Sequence, residues 1–290
     1  KTMIFKLQPI LLDKIWGGTQ LKKTYNSHLN NIGEVWGISA YPSFSNTLDN
    51  TSQTLRDLYN NERHYFGYYP SNEFPILMKL IDAKEDLSVQ VHPDDYYAKQ
   101  FNSLGKEECW FVLDAKKDAT ILIGHQAPDK QTLRNAINNQ TLMPQLNIYP
   151  VKKNDYFYIP AGTVHAILKD TLILEVSQSS DITYRLYDYD RKDQKGNTRD
   201  LHIKESLDVI NIPNKQIIQK HINRYFKFDV LELNGENTYI ADQYGDYIGI
   251  TEGEGFINNI PCHFGDFFMI SSLDSYVLKG NIKFVKVNLI

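Results

Sequence analysis

Four side chains suited to holding a metal ion stand at turn-bounded edges of short extended runs. In Ser88-Val89-Gln90-Val91-His92-Pro93 the residues i and i+2 of a strand face one side, so Gln90 and His92 point together and Pro93 ends the run. Gly105-Lys106-Glu107-Glu108-Cys109-Trp110 opens on a glycine turn and brings Lys106 and Glu108 to one face by the same spacing. Pro160-Ala161-Gly162-Thr163-Val164-His165 launches a third strand with His165 near its start. Two imidazoles, one carboxylate and one amide oxygen suit Zn²⁺ and leave a position for water or substrate. Such an ion works as a Lewis acid and has no redox chemistry of its own. Of the other histidines, only His125, directly after Gly124, sits in an informative place.

Charged residues near these runs widen the chemistry. Lys79 lies inside the apolar run Pro75-Ile76-Leu77-Met78 and Leu80-Ile81, where a charge calls for a partner or a ligand. Glu175 lies on the apolar stretch 171–176, where partial burial would raise its pKa toward that of a general base. Arg185 sits between Tyr184 and Leu186, and an ion pair with Asp181 or Asp188 is its plain structural account.

These residues need a β framework, and the chain supplies one. Its 19 Tyr and 14 Phe favour strands, and short apolar runs recur at 76–81, 88–92, 108–113, 120–123, 156–159, 163–168 and 172–176. Further runs follow at 227–232, 247–250, 266–270 and 282–287. Gly, Pro, Asn and Asp separate them, the pattern of a sandwich or barrel. Three helices are expected on the outside of the sheets: one capped by Thr51 or Ser52, one opened by Pro128-Asp129, and one over 202–210. A boundary is expected near Ile212-Pro213-Asn214-Lys215. It divides residues 1–215 from a smaller β module, 216–290, with turns at Gly235-Glu236-Asn237 and Glu252-Gly253-Glu254-Gly255.

Composition bounds the partners. In 290 residues, 35 acidic against 31 basic side chains give a net charge of -4, which gives no support to nucleic acid or an anionic membrane as main partner. Two distant cysteines, Cys109 and Cys262, form no disulfide framework, so a reducing, cytoplasmic setting is expected. The start shows no apolar leader region, and no run approaches the roughly 18 apolar residues of a membrane span. There is no P-loop, no complete dinucleotide fingerprint and no G-x-S-x-G elbow. The oligomeric state is not legible.

The run from Asn154 to His165 resembles the second cupin motif, G-x5-P-x-G-x2-H, with Asn154 in place of the leading glycine; Asn tolerates φ > 0, so the turn survives. Gln90-x-His92 stands where ordinary cupins carry His-x-His. Together with Trp16-Gly17-Gly18, Gly33-Glu34-Val35-Trp36, the run 88–95, the run 105–110 and the run 175–191, this resembles the type I mannose-6-phosphate isomerases in their short bacterial form.

The resemblance implies a mainly β chain: a cupin-type jelly-roll β-barrel with a few peripheral helices and a degenerate, cupin-like second module. It implies a zinc-dependent interconversion of mannose 6-phosphate and fructose 6-phosphate through an enediol. On this likeness Gln90, His92, Glu108 and His165 hold the metal. Arg185 is the catalytic arginine, Lys79, Ser88 and Lys106 line the phosphosugar pocket, and Glu175 is a carboxylate near the site. An enediol gathers negative charge on oxygen, which a Lewis acid and a guanidinium stabilise. The proton-transfer base stays open between Glu175, Lys106, His125 and a water on the metal. Two other readings stand beside this one: a non-catalytic sugar-phosphate-binding paralogue, and a non-haem iron oxygenase, which also uses two histidines and a carboxylate.

Overall fold

The computed structural model describes residues 2–193 and 195–290. The chain is mainly β, and its backbone forms two compact units. One gathers Lys1–Leu12, Val35–Leu80 and Lys220–Ile290; the other gathers Asp13–Glu34 and Ile81–Gln219. The expected division into 1–215 and 216–290 misses this discontinuity. Its physical cause lies in strand pairing: Ile4–Leu7 pairs antiparallel with Phe267–Ile270, so the N-terminal segment belongs with the C-terminal sheet.

The unit holding residues 81–219 has a five-stranded antiparallel sheet. Its order is Leu146–Pro150, Thr120–His125, His165–Ile167, Val89–Val91 and Tyr184–Tyr187. Alternate residues of one strand enter two different cores, as the two-residue period of a strand requires. Ile121 and Ile123 pack with Trp16, Trp110, Ile159 and Ile173. Leu122 packs on the other face with Val89, Val91, Ala166 and Leu186. Two helices cover that second face. Lys130–Asn138, capped by the Asp129 side chain accepting from the Thr132 amide, contributes Leu133, and Ile203–Val209 contributes Leu207. The first face meets Glu108–Ala115, flanked by Tyr156–Ile159 and Thr171–Gln178. Two antiparallel sheets thus enclose one core, with helices only outside.

The other unit is built on long strands. Phe226–Ile240 pairs residue for residue with Ser275–Leu289, and Asp246–Ile257 pairs on the far side of Ser275–Leu289. The turns expected at Gly235-Glu236-Asn237 and at 252–255 are absent, because both stretches run through strand interiors. Cross-strand register explains the glycines: Gly280 stands opposite Gly235 on one side and Gly255 on the other. A Cβ on Gly280, whose φ is +140°, would lie 2.5 Å from the Glu254 carbonyl oxygen. The register shift between Ile250 and Glu252 leaves Thr251 as the extra residue, and Gly253, at φ +77°, lies just beyond it opposite Ile282.

Candidate metal centre

Strand pairing carries the site. His165 lies opposite Gln90, and Gln90 lies opposite Arg185, so three adjacent strands put these residues in one row. Directly paired residues face the same side of a sheet. On the second sheet Glu108 pairs with Ser177, and Trp110 pairs with Glu175, which places both glutamates on one face by the i, i+2 rule. The two faces meet at the carboxylate of Glu108. His92 Nε2 lies 3.4 Å from its Oε2, and His165 Nε2 lies 3.4 Å from its Oε1. His92 and His165 are 1% exposed and Glu108 is 0% exposed. Among the described residues these three form the one group of His, Cys, Asp or Glu able to share an ion, their ligand atoms all within 4.8 Å.

The ring nitrogens are oriented for the task. His92 Nδ1 donates to the Ile182 carbonyl at 2.7 Å, and His165 Nδ1 donates to the Thr163 carbonyl at 2.9 Å. A carbonyl can only accept, so each ring carries its proton on Nδ1 and turns an unprotonated Nε2 toward Glu108. Burial pushes both imidazole pKa values down, with Lys106 adding to the effect; that of His92 falls to about 3. Glu108 Oε1 accepts from Trp110 Nε1 at 3.0 Å, whereas its buried Oε2 accepts no aligned hydrogen bond. Burial works against its charge, yet the Lys106 ammonium beside it holds its pKa well below the ordinary carboxylate value. Two bare imidazole nitrogens and a half-satisfied buried carboxylate fit a divalent cation such as zinc.

Lys106 stands among these donors. Its Nζ is 2.7 Å from Glu108 Oε2, 3.4 Å from Glu175 Oε1 and 3.4 Å from His92 Nε2. The contact with Glu108 is an ion pair without hydrogen-bond alignment. Burial opposes the ammonium charge, but Glu108 and then Glu175 outweigh it and raise the Lys106 pKa. Ser88 donates to Gln90 Oε1 at 3.2 Å, and Gln90 Nε2 lies 3.4 Å from His165 Nε2. Arg185 is half-buried, its Nε is buried without a hydrogen bond, and burial followed by the nearby Arg199 lowers its pKa.

Of the sequence candidates, Ser88, Gln90, His92, Lys106, Glu108, His165 and Glu175 are brought together by these contacts, and Arg185 shares the row of Gln90. Lys79 belongs to the other unit, where it is buried with its ammonium 4.0 Å from the Trp36 ring centroid. His125 is engaged elsewhere: its Nε2 donates to the Asn211 carbonyl at 2.9 Å. The Lys106 loop has supports of its own. Asp95 Oδ1 accepts from the Gly105 amide and from Gln178 Nε2, and Gln178 Oε1 accepts from the Glu107 amide. Asp95 had only its place after His-Pro-Asp to mark it. Asn154 does take φ +74°, as its place at the head of the motif requires.

Two facing antiparallel sheets with a buried His–Glu–His centre between them define a cupin-type barrel with a metal-competent site. The family profile "Phosphomannose isomerase type I, catalytic domain" matches residues 4–132. Mannose-6-phosphate isomerase ManA of Bacillus subtilis is 44% identical over 270 residues, covering 86% of this chain and 85% of that one. A mannose-6-phosphate isomerase of Streptococcus mutans is 45% identical over 212 residues, covering 71% of this chain and 67% of the other. The crystal structure of mannose 6-phosphate isomerase from Bacillus subtilis matches with a TM-score of 0.92 and 34% identity, over 98% of this chain and 99% of that one. The chain belongs to the type I phosphomannose isomerase family.

Proposed function

We infer that this chain is a metal-dependent aldose–ketose isomerase that interconverts mannose 6-phosphate and fructose 6-phosphate. The observation that carries the reading is the buried His92–Glu108–His165 group with Lys106 between its carboxylate and that of Glu175. The names of the relatives point to the same activity. His92, Glu108 and His165, with Gln90, would hold Zn²⁺, which when bound supplies Lewis acidity toward the sugar oxygens without redox chemistry.

The chain's own residues do the rest. Glu175 takes the proton from C2 of the open-chain aldose and returns it to C1, while a hydroxyl proton passes from O2 to O1. Substrate and product thus differ only in where hydrogen sits. Lys106, kept charged by two carboxylates, and Arg185, with a buried donor making no hydrogen bond, face the enediol as negative charge builds on its oxygens. The Lys106 ammonium serves as a cation and leaves base duty to Glu175. Lys106 and Arg185 also supply the local positive charge that a phosphosugar needs in a chain of net charge -4.

A coupled assay for fructose 6-phosphate, with zinc-loaded protein and mannose 6-phosphate, tests the reading. Product should form, cease after chelation and return with Zn²⁺. A zinc-loaded protein that makes no product overturns the isomerase assignment.

A further inference from the structure

The turn that delivers His165 is fastened from outside by the segment 210–214, which follows the helix Ile203–Val209. The Asn211 amide donates to the Gly162 carbonyl at 2.8 Å, and Asn211 Nδ2 donates to the Ala161 carbonyl at 2.8 Å. Gly162, at φ +81°, has no room for a side chain there, since a Cβ would lie 2.6 Å from Asn211 Nδ2. The Gly162 amide in turn donates to the His92 carbonyl at 2.8 Å. One residue of the segment is thereby joined to the turn before His165 and, through Gly162, to the strand end bearing His92.

The segment has its own anchor, and that anchor is His125. The ring is fully buried, and its Nε2 donates to the Asn211 carbonyl. The His125 backbone amide donates to the Asn214 carbonyl at 2.8 Å, so His125 grips the segment at two points. The preceding Gly124 donates to the Val164 carbonyl at 2.7 Å, beside His165 itself. Main-chain groups of Gly124, His125, Gly162 and Asn211 therefore form one connected frame around both histidine-bearing strand ends.

We propose that His125 and Asn211 are positioning residues: a strap that sets the backbone of His92 and His165 and so tunes the ion those residues hold. The proposal rests on the metal reading above. Outer partners of metal-binding histidines are worth about 10–100-fold in metal affinity, and the strap acts one step further out, through the main chain.

Four proteins test it: wild type, His125→Leu, His125→Gln, which restores a donor at the reach of Nε2, and Leu278→Ala as a destabilised control in the buried core of the long-stranded unit. Amide exchange of Gly162 and Asn211 in metal-free protein should accelerate about tenfold in His125→Leu and return toward wild type in His125→Gln. Leu278→Ala should leave the ratio of these two amides to their neighbours unchanged. With Co²⁺ as probe, His125→Leu should bind about tenfold more weakly, with a displaced visible spectrum and a lower kcat at little-changed KM. Unchanged exchange in His125→Leu overturns the strap, and wild-type Co²⁺ affinity and spectrum in that variant overturn its positioning role. A wild-type protein that binds no Co²⁺ overturns the metal reading instead, and the exchange data still decide the strap.

Discussion

At the scale of single residues the site is an arrangement of charges that offset one another. Lys106 is shared by Glu108 and Glu175, so removing Glu175 alters both the proposed base and the setting of the ammonium. Glu175→Gln should cut kcat by about 10²-fold or more, at little cost in metal content, if the carboxylate moves the proton; steady-state kinetics beside metal analysis checks this. Asp188 gives a pH prediction. It is buried and bridged to Arg199 at 2.6 Å and Arg191 at 2.9 Å, and although burial works the other way, these guanidiniums hold its pKa below the ordinary value. A depressed folded pKa gives stability that is full above the unfolded value and lost as pH falls through the folded one. The gap in urea midpoint between wild type and Asp188→Asn should therefore be widest near neutrality and close in acid. Ligand types were legible in the sequence because each stood at a strand edge marked by Gly or Pro. The link from Lys106 to Glu175 was not, since it depends on which strands pair. His125 showed its position after a glycine but not its partner, which lies on a distant segment.

Among the elements, caps and glycines decide the most. The helix Leu55–Asn61 is capped by Thr54, whose side chain accepts from the Asp57 amide while the Asp57 carboxylate accepts from the Thr54 amide. The expected start at Thr51 or Ser52 lay a few residues early, because that threonine and serine belong to the preceding turn. Thr54→Ala should cost about 1 kcal/mol, measured by urea unfolding. In the long-stranded unit, Gly280→Val meets both a backbone clash and a positive φ, whereas Gly235→Val meets the positive φ alone, with no atom within 4 Å of its Cβ. Strained positions cost about 1–3 kcal/mol each, so Gly280→Val should lower the thermal midpoint by more than Gly235→Val does. Strand cores such as 76–81 and 156–159 were readable from apolar runs. The long strands were not, because their middle stretches are exposed and polar, and a glycine inside paired backbone looks like a glycine in a turn.

For the molecule as a whole, a metal held by His92, Glu108 and His165 would serve stability as well as chemistry. An ion that binds only the folded form adds about 2.7 kcal/mol at a hundredfold excess over its Kd, so chelation should lower the thermal midpoint, and added Zn²⁺ should restore it, in calorimetry. The mainly β class was legible, since aromatic and β-branched runs with regular turns leave few alternatives. The partition into units was not, because pairing between residues 4–7 and 267–270 leaves no local mark. That pairing orders the birth of the protein. During synthesis Ile4–Leu7 is made before the whole segment from Ile81 to Gln219, and its partner Phe267–Ile270 only after that segment. Ile4–Leu7 thus stays without this partner while the chain between them is made, and the sheet that joins them closes only after Phe267–Ile270 has been translated.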